Sequence, residues 1–199
     1  PSSVSFGGDK ERTYVVIWTT TPWTLPANLA VSFHPEFEYL SYSFNGENFI
    51  MAKGLLEQFE SITGMKQAGE TSLTFENIKA LKVMHPFIDR ESKVVFGTHV
   101  TLEQGTGIVH TAPGHGHDDY IVGLANNLEI FCPVDDEGKF TSDFPEMKGM
   151  HVFKANPEVV KLLEEKNALV HSGTIEHSYP HCWRCKKPLI YRATEQWFF

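Results

Sequence analysis

Apolar residues along this chain occur mostly in short runs separated by turn-forming residues. Tyr14 to Trp18 is a continuous β-branched and aromatic run, which is typical of a buried strand. Asn45-Gly46 stands between two further apolar stretches and is a strong signal for a tight hairpin. The other predicted strands are residues 29–33, 38–44, 47–52, 93–101 and 107–111.

Helical patterns are fewer than strand patterns. Residues 55–62 predict a short helix, and residues 118–127 predict another with acidic residues at its start. Asn156-Pro157, a cap followed by a proline at the first helical position, predicts a third helix over residues 158–166. Its apolar face would be formed by Val159, Leu162 and Leu163.

The number and order of these elements indicate the fold class. Many short strands with two or three helices predict an α+β domain built on a barrel or a curled sheet, with the helices at its periphery. Residues 1–12 are polar and contain glycine, which favours a loop that acts as an entry linker. We therefore expect the domain to occupy residues 13–172. Residues 173–199 would form a return segment that carries a Cys-x-x-Cys motif.

Composition adds little beyond a broad class. The chain has 199 residues, of which 41% are hydrophobic and 21% charged, as expected for one globular domain. No apolar run approaches the roughly 20 residues that span a bilayer, and no targeting segment is visible. A start without Met and an aromatic end suggest a piece of a longer protein. Three cysteines, two of them in one motif, fit a reducing compartment, so we expect a cytoplasmic location.

The most informative segment, residues 19–28, follows the first predicted strand. Thr19, Thr20 and Thr21 leave the strand and run into Pro22, which ends the pairing and opens a turn. Hydroxyl groups at such a corner can orient a water molecule, or bond the oxygens of an ester and a ribose, without carrying charge. The alternative is a turn whose hydroxyls only satisfy local backbone groups.

A second segment, residues 105–119, combines glycines, histidines and a pair of aspartates. Glycines at a strand end allow a substrate to approach the backbone closely. His110 ends an apolar run and is placed to project into a pocket. Asp118 and Asp119 begin a predicted helix, where one carboxylate would cap the first turn and the other would hold an ammonium group. Spacing alone does not say which aspartate does which.

Together the two segments resemble the signature of the editing domains of isoleucyl-, valyl- and leucyl-tRNA synthetases. Valyl and leucyl members typically have Arg-Pro after two threonines, and Thr21-Pro22-Trp23 stands in that place here, which favours the isoleucyl branch. Residues 177–185 and 193–198 are similar to the stretch where the family's insertion returns to the synthetase body. The resemblance runs from Thr13 onwards, with little contribution from residues 60–95.

The resemblance implies post-transfer editing, which is hydrolysis of the ester of valine wrongly attached to isoleucine tRNA, and also pre-transfer editing of wrongly activated valine. Isoleucine would be excluded by its size. Thr19, Thr20 and Thr21 would place the hydrolytic water and the terminal adenosine. His110 would lie against the aliphatic side chain, and Asp119 would bind the α-ammonium group. Further substrate-binding residues at matching positions are Trp23, Thr24, Asn28, Thr111, Gly114 and Asp118.

Some of these positions have a structural interpretation as well. Thr24 and Asn28 would support the corner between strand and turn. Trp23 is interpreted equally well as a core aromatic residue. The two ATP-binding signatures of the synthetase body are absent, so we expect no amino-acid activation by this chain.

The main alternative is a metal-dependent hydrolase. His110, His115 and His117, followed by Asp118 and Asp119, have a plausible ligand spacing. The glycines between them favour a solvated loop instead. Editing of an ester requires no cofactor, so a chelator would separate the two interpretations.

Cys182 and Cys185 suggest a second alternative, a zinc-stabilised RNA-binding module without catalysis. Two thiolates are half of a tetrahedral site, and the remaining Cys132 fits a small buried residue. We therefore expect a zinc half-site, structural in the longer enzyme, whose partners lie outside this chain. A net charge of −8 argues against a dedicated nucleic-acid binder. The expected partners are the 3′ end of isoleucine tRNA carrying valine and the rest of the synthetase chain, with no membrane and a monomeric state.

Overall fold

Ten strands form one mixed sheet in the computed structural model, which describes residues 2–7, 13–174 and 178–196. The strands are β1 Ser2–Gly7, β2 Thr13–Thr19, β3 Ala30–Phe33, β4 Tyr39–Phe44, β5 Glu47–Ala52, β6 Gly69–Leu73, β7 Val83–Met84, β8 Glu91–Phe96, β9 Ile108–Thr111 and β10 Leu169–Ser172. The α-helices are α1 Leu56–Thr63, α2 Phe75–Lys79, α3 His117–Ala125 and α4 Val152–Glu165. Short 3₁₀ helices are Pro22–Ala27, Lys53–Leu55 and Pro145–Met147.

The sheet curls back on itself. Its strand order is β6-β4-β5-β2-β1-β7-β8-β3-β9, and β10 pairs with β1 beside this path. Although β9 ends the order, it packs against β2 in the middle of the sheet. The Thr106 hydroxyl donates to the Val16 carbonyl at 2.6 Å, and the Ala52 amide donates to the Thr106 carbonyl at 2.8 Å. The predicted α+β class is confirmed.

The predicted hairpin is confirmed at the Asn45-Gly46 turn. Strands β4 and β5 pair antiparallel up to Phe44 and Glu47, which leaves a two-residue loop. Asn45 has φ 52° and Gly46 has φ 85°, the left-handed values that a tight hairpin turn requires. Asparagine and glycine adopt these values at the lowest energetic cost, which is why this pair marks the turn in the sequence.

The main core lies between the sheet, helix α4 and the 3₁₀ turn at residues 22–27. Helix α4 faces that core with four apolar side chains that have no exposed area. They follow one another at spacings of three or four residues, so they lie on one face of the helix. These are Val152, Ala155, Val159 and Leu163. Helix α4 packs against the 3₁₀ turn that follows β2.

The predicted start of this third helix is wrong. It begins at Val152 with His151 at its N-cap, and Pro157 lies inside it. Burial of Val152 and Ala155 extends the helix on the amino-terminal side, because it continues the apolar face. Asn156 does not cap the helix. Its side-chain oxygen accepts from the backbone amide of Trp23 at 3.0 Å.

Residues 2–7 are not the predicted loop, since β1 pairs with β2 along its whole length from Ser2–Thr19 to Gly7–Tyr14. A short and mostly polar sequence gives little indication that its backbone pairs with a neighbouring strand. The predicted strand at residues 93–101 is shifted, because β8 covers residues 91–96. The short elements α2, β6, β7 and β10 were not predicted. Among the described residues, no helix has the length and apolar character needed to cross a bilayer.

Candidate active site

A cavity of about 350 Å³ opens where β2 ends and where β9 and α3 approach it. The sheet curl brings these elements together, although β2 and α3 are nearly a hundred residues apart in the chain. The cavity contains all five of the residues predicted to be catalytic, and Thr24 beside them. Its lining residues are Trp18, Thr19, Thr20, Thr21, Thr24, His99, Thr101, Gln104, Thr106, Gly107, Ile108, Val109, His110, His115 and Asp119.

The threonine corner is built by local hydrogen bonds. The Thr19 hydroxyl is buried and accepts from the Thr21 amide at 3.1 Å. The Thr21 carbonyl accepts from the Thr24 amide at 3.0 Å and from the Thr24 hydroxyl at 2.8 Å. Thr20 is exposed and Thr21 is half-buried. The hydroxyls of Thr19 and Thr24 therefore bond nearby backbone groups, as the alternative interpretation of this turn proposed.

His110 forms the buried wall of the cavity. It is 6% exposed, and its Nε2 lies 3.1 Å from the Thr24 hydroxyl oxygen. Because that hydroxyl gives its only proton to the Thr21 carbonyl, it accepts from Nε2–H, which leaves Nδ1 as the bare nitrogen. Nδ1 is buried without a partner among the described residues. Burial lowers the pKa of His110 to about 4, so the ring is neutral near pH 7.

Asp119 supplies the carboxylate of the cavity. One of its oxygens accepts from the Ala112 amide at 3.2 Å, just after β9. Burial raises the pKa of this carboxyl to about 6, and the neighbouring Asp118 adds to the rise, while the Ala112 amide opposes it. A β-carbon at Gly116 would lie 2.7 Å from the carboxylate, so this glycine leaves room for Asp119.

The expected helix cap by one aspartate is wrong. Helix α3 has Gly116 at its N-cap and no side-chain cap hydrogen bond. Asp119 bonds the Ala112 amide instead, and Asp118 is exposed. Asp118 lines a separate groove of about 450 Å³ with His99 and Ile121.

Three further residues predicted to bind substrate are absent from the cavity lining. Trp23 is 3% exposed in the main core, and Thr111 is buried with its hydroxyl 2.6 Å from that of Ser32. Asn28 is fully buried. Its amide nitrogen donates to the Ala30 carbonyl at 2.7 Å, and its amide oxygen accepts from Ser92 at 2.7 Å, which ties the turn to the sheet.

The glycines of this region serve the close packing of the chain itself. A β-carbon at Gly114 would lie 2.2 Å from the Phe131 carbonyl oxygen. Gly107 has φ 71° and would place a β-carbon 2.4 Å from that of Ala52. Gly107 lines this cavity, whereas Gly114 is not among its lining residues.

Several residues that line this cavity were not predicted from the sequence. Trp18 lies at the end of β2, and Thr101 and Gln104 lie in the loop before β9. His115 appeared only as a metal ligand in the alternative interpretation. Its ring meets that of Trp23 edge to face at 5.0 Å, and it is 7% exposed. No local pattern in the sequence marks these residues, because the fold brings them together from distant segments.

The metal-dependent hydrolase alternative requires a cluster of side chains that could bind a metal ion. Within residues 2–7, 13–174 and 178–196, no three or more His, Cys, Asp or Glu side chains are grouped to hold a metal ion. His117 is exposed at the start of α3, on the groove that includes Tyr120 and Tyr191.

The two cysteines of the return segment lie in a short hairpin. The Cys182 amide donates to the Lys187 carbonyl at 2.8 Å, and the Lys186 amide donates to the Cys182 carbonyl at 2.9 Å. Backbone amides of Cys185 and Arg184 lower the pKa of the Cys182 thiol. Residue 177 and residues 197–198, which contribute to the family resemblance, lie outside the described residues.

Comparison with known proteins gives relatives over almost the whole chain. The chain is 50% identical over 188 residues to the isoleucine–tRNA ligase of Desulfitobacterium hafniense, covering 94% of this chain and 20% of the relative. It is 52% identical over 190 residues to the isoleucine–tRNA ligase of Fervidobacterium nodosum, covering 96% and 21%. The corresponding enzyme of Desulfovibrio desulfuricans is 52% identical over 191 residues. The chain thus spans about one fifth of the length of these relatives. No protein-family profile matches it.

Two solved structures, both from leucyl-tRNA synthetases, have a similar fold. The crystal structure of GlLeuRS-CP1 matches with a TM-score of 0.62 at 14% identity, over 84% of this chain and 87% of that one. The editing domain of the P. knowlesi cytosolic leucyl-tRNA synthetase matches with a TM-score of 0.57 at 11% identity, over 84% and 94%. At these identities the match establishes the fold.

Proposed function

We propose that this chain, a homologue of about one fifth of isoleucine–tRNA ligases with the fold of leucyl-tRNA synthetase editing domains, hydrolyses the ester of valine wrongly attached to isoleucine tRNA. The observation that carries the proposal is the single cavity that unites Thr19, Thr20, Thr21, His110 and Asp119. These residues come from three separate elements, and the fold brings all of them together.

Hydrolysis needs little from the protein besides positioning. Water adds to the ester carbonyl carbon, the bond from that carbon to the ribose oxygen breaks, and the ribose oxygen leaves with a proton. The products are free valine and the 3′ end of the tRNA with its hydroxyl restored. An aminoacyl ester is already reactive, so a placed water and donors for the developing oxyanion supply most of the acceleration. The exposed Thr20 and the half-buried Thr21 are suited to that placement.

Asp119 would anchor the substrate by its α-ammonium group. One carboxylate oxygen is held by the Ala112 amide, which fixes the direction of the other. With a pKa of about 6, the carboxyl is mostly ionised near pH 7 and attracts a cation. The fixed anchor sets how far the amino-acid side chain reaches into the cavity.

His110 would set the size limit that excludes isoleucine. Its ring is rigid, buried and held by Thr24, so it cannot move aside for an extra methylene group. A single methylene in an apolar pocket is worth only about 1–3 kcal/mol, and isoleucyl-tRNA synthetases are themselves the established example of this limit. A second pocket that is too small for isoleucine removes the error that the first pocket cannot.

His110 is not our candidate for a general base. The Nε2 atom carries a proton toward Thr24, and burial lowers the pKa of the ring to about 4, which makes it a weak base. A ribose hydroxyl next to the ester therefore remains the group that we propose assists the water. Pre-transfer editing would act on the valyl adenylate, in which the valyl group is joined to a phosphate instead of a ribose oxygen, and it would use the same contacts to the valyl group.

The partners follow from this activity. The cavity would receive the 3′ end of isoleucine tRNA in the cytoplasm, and the rest of the ligase chain would supply most tRNA contacts, since this chain carries a net charge of −8. We also propose that Cys182 and Cys185 are half of a structural zinc site completed by residues outside this chain. The lowered pKa of the Cys182 thiol favours the thiolate that zinc binds.

Deacylation of valyl- and isoleucyl-tRNA(Ile), measured with and without EDTA, tests the proposal. We expect EDTA-resistant hydrolysis of the valyl ester, abolished by Asp119→Ala. His110→Ala should let the isoleucyl ester react as well. Hydrolysis that EDTA abolishes would support the metal-dependent alternative instead. Absence of both hydrolysis and valine-selective binding of a non-hydrolysable valyl-adenosine analogue would overturn the proposal.

A further inference from the structure

His115 lies in the cavity wall with no assigned role in the proposed reaction. It comes from the loop between β9 and α3, is 7% exposed, and packs edge to face against Trp23. Its amide donates to the Ala112 carbonyl at 2.8 Å, so both backbone and ring are fixed. A ring held this firmly can present one nitrogen in a constant direction.

The proton position on this ring follows from its contacts. Nδ1 lies 3.0 Å from the Tyr191 carbonyl oxygen, which can only accept, so Nδ1 carries the proton. The segment that contains Tyr191 is also held to this loop by the Ala193 amide, which donates to the Gly114 carbonyl at 2.8 Å. In the neutral ring, Nε2 is therefore a bare acceptor. It is buried and has no hydrogen-bond partner among the described residues, and His115 is one of the residues that line the cavity.

A buried acceptor without a donor is unfavourable, and such atoms in folded proteins commonly await a ligand or a water molecule. The chemistry of the cavity indicates which donor fits. Asp119 provides negative charge, and neither lysine nor arginine lines the described cavity. Burial lowers the pKa of both His110 and His115, so neither ring opposes a cation near pH 7. The cavity thus favours a cationic donor with several N–H groups.

We propose that Nε2 of His115 accepts a hydrogen bond from the α-ammonium group of the aminoacyl ester, beside the carboxylate of Asp119. This inference rests on the proposed function and names a second anchor for the same group. An ammonium group has three N–H donors, and one carboxylate oxygen of Asp119 is already engaged by Ala112. The hydrogen bond to the Tyr191 carbonyl would then serve to hold the proton on Nδ1 and leave Nε2 as the acceptor.

The test measures by calorimetry the binding of two analogues of adenosine esters, each with a non-hydrolysable linkage in place of the ester. One carries valine, and the other carries the 3-methylbutanoyl group, which has the same branched chain without the amine. His115→Asn keeps a donor near the Nδ1 position for Tyr191 and removes the Nε2 acceptor. His115→Gln is the reciprocal variant, because its amide reaches the Nε2 position and leaves Tyr191 without its donor.

We expect His115→Asn to weaken the valyl analogue by about tenfold or more and to leave the amine-free analogue within roughly twofold, because hydrogen bonds to charged groups are the stronger ones. His115→Gln should retain most of the preference for the amine and lower the melting temperature. Equal weakening of both analogues by His115→Asn, or no weakening of either, would overturn the inference.

Failure of the proposed function gives a different result. In that case the unsubstituted protein binds neither analogue, or binds both without preference for the amine, and the inference falls with it. If the unsubstituted protein prefers the amine and His115→Asn leaves that preference intact, the function stands and the role of His115 is refuted.

Discussion

The hydroxyl oxygen of Thr24 lies 3.1 Å from Nε2 of His110, and this contact decides which nitrogen of the buried ring carries the proton. The same hydroxyl donates to the Thr21 carbonyl at 2.8 Å, so it has no proton left for the ring. The 3₁₀ turn and strand β9, distant in sequence, are thereby joined at the wall of the cavity. The position of His110 depends on Thr24 as well as on packing.

Removal of this hydroxyl should loosen the wall. Thr24→Val keeps the shape of the side chain and leaves Nε2–H of His110 buried without an acceptor. We expect a loss of about 1–3 kcal/mol in the free energy of unfolding. We also expect a smaller preference for valyl over isoleucyl ester, measured by deacylation of both tRNAs.

Thr24→Ser is the matched control, because it keeps the hydroxyl and loses only a methyl group. It should retain more of the substrate preference than Thr24→Val does. Equal selectivity in both variants and the unsubstituted protein would show that His110 is positioned without the help of this bond.

How much of this could be predicted from sequence depends on the range of the interactions. The hairpin at Asn45-Gly46 and strand β2 follow from local preferences, and both were found. Helix α4 was placed too late because Asn156-Pro157 is a good local start signal. Burial of Val152 against the core, a long-range effect, outweighed it.

The candidate site shows the same division. Thr20, His110 and Asp119 could be proposed from two segments and a family resemblance, and the structure brings them into one cavity. His115 could not be separated from a metal-ligand pattern, because its partner Tyr191 lies 76 positions away in the chain. The expected cap by an aspartate failed because the Ala112 amide, fixed by the end of β9, competes for the carboxylate of Asp119.

The raised pKa of Asp119 leads to one prediction for stability and one for activity, and the two quantities change in opposite directions with pH. The folded-state value of about 6 exceeds the ordinary 3.8, so the folded protein binds this proton more tightly than the unfolded chain does. The contribution of Asp119 to stability therefore falls as pH rises from about 4 through about 6. Activity should rise over that same interval, because the ionised form binds the ammonium group.

Asp119→Asn tests both effects in one variant. At pH 7 it should be more stable than the unsubstituted protein by on the order of 1–3 kcal/mol, measured by denaturant unfolding. Its kcat/KM for valyl-tRNA(Ile) should fall roughly 30-fold or more and lose the inflection near pH 6. A variant that is less stable and keeps the inflection would contradict the assignment.

His85 predicts acid sensitivity that is separate from the site. Its Nε2–H donates to the Leu25 carbonyl at 2.8 Å, and Nδ1 accepts from the amides of Phe87 and Ile88 at 3.3 and 3.1 Å. Burial lowers the pKa of His85 to about 3. The folded state thus binds fewer protons than the unfolded chain between the ordinary value of 6.5 and about 3. The stabilising effect of the neutral ring is fully present above pH 6.5 and is lost as pH falls through this interval.

His85→Asn keeps an acceptor near the Nδ1 position and does not titrate. We expect lower stability at pH 7 and a shallower decline between pH 6.5 and 4, by up to about 1.4 kcal/mol per pH unit. Urea unfolding at several pH values measures the slope. An unchanged slope would assign the acid sensitivity to other groups, such as His110, which acts in the same direction.

Asn156 links helix α4 to the turn that carries the threonines, since its side-chain oxygen accepts from the Trp23 amide at 3.0 Å. Asn156→Ala should leave that amide without a partner and lower the free energy of unfolding by about 1–3 kcal/mol. Were the residue an ordinary helix cap, Asn156→Asp and Asn156→Ala would differ in helix content, and deacylation would be affected only through stability. Because the bond holds the turn, Asn156→Asp should keep both stability and valyl-ester hydrolysis near the unsubstituted level. Asn156→Ala should reduce kcat at temperatures where circular dichroism shows it fully folded. Equal kcat for the two folded variants would mean that packing of α4 alone positions the threonine corner.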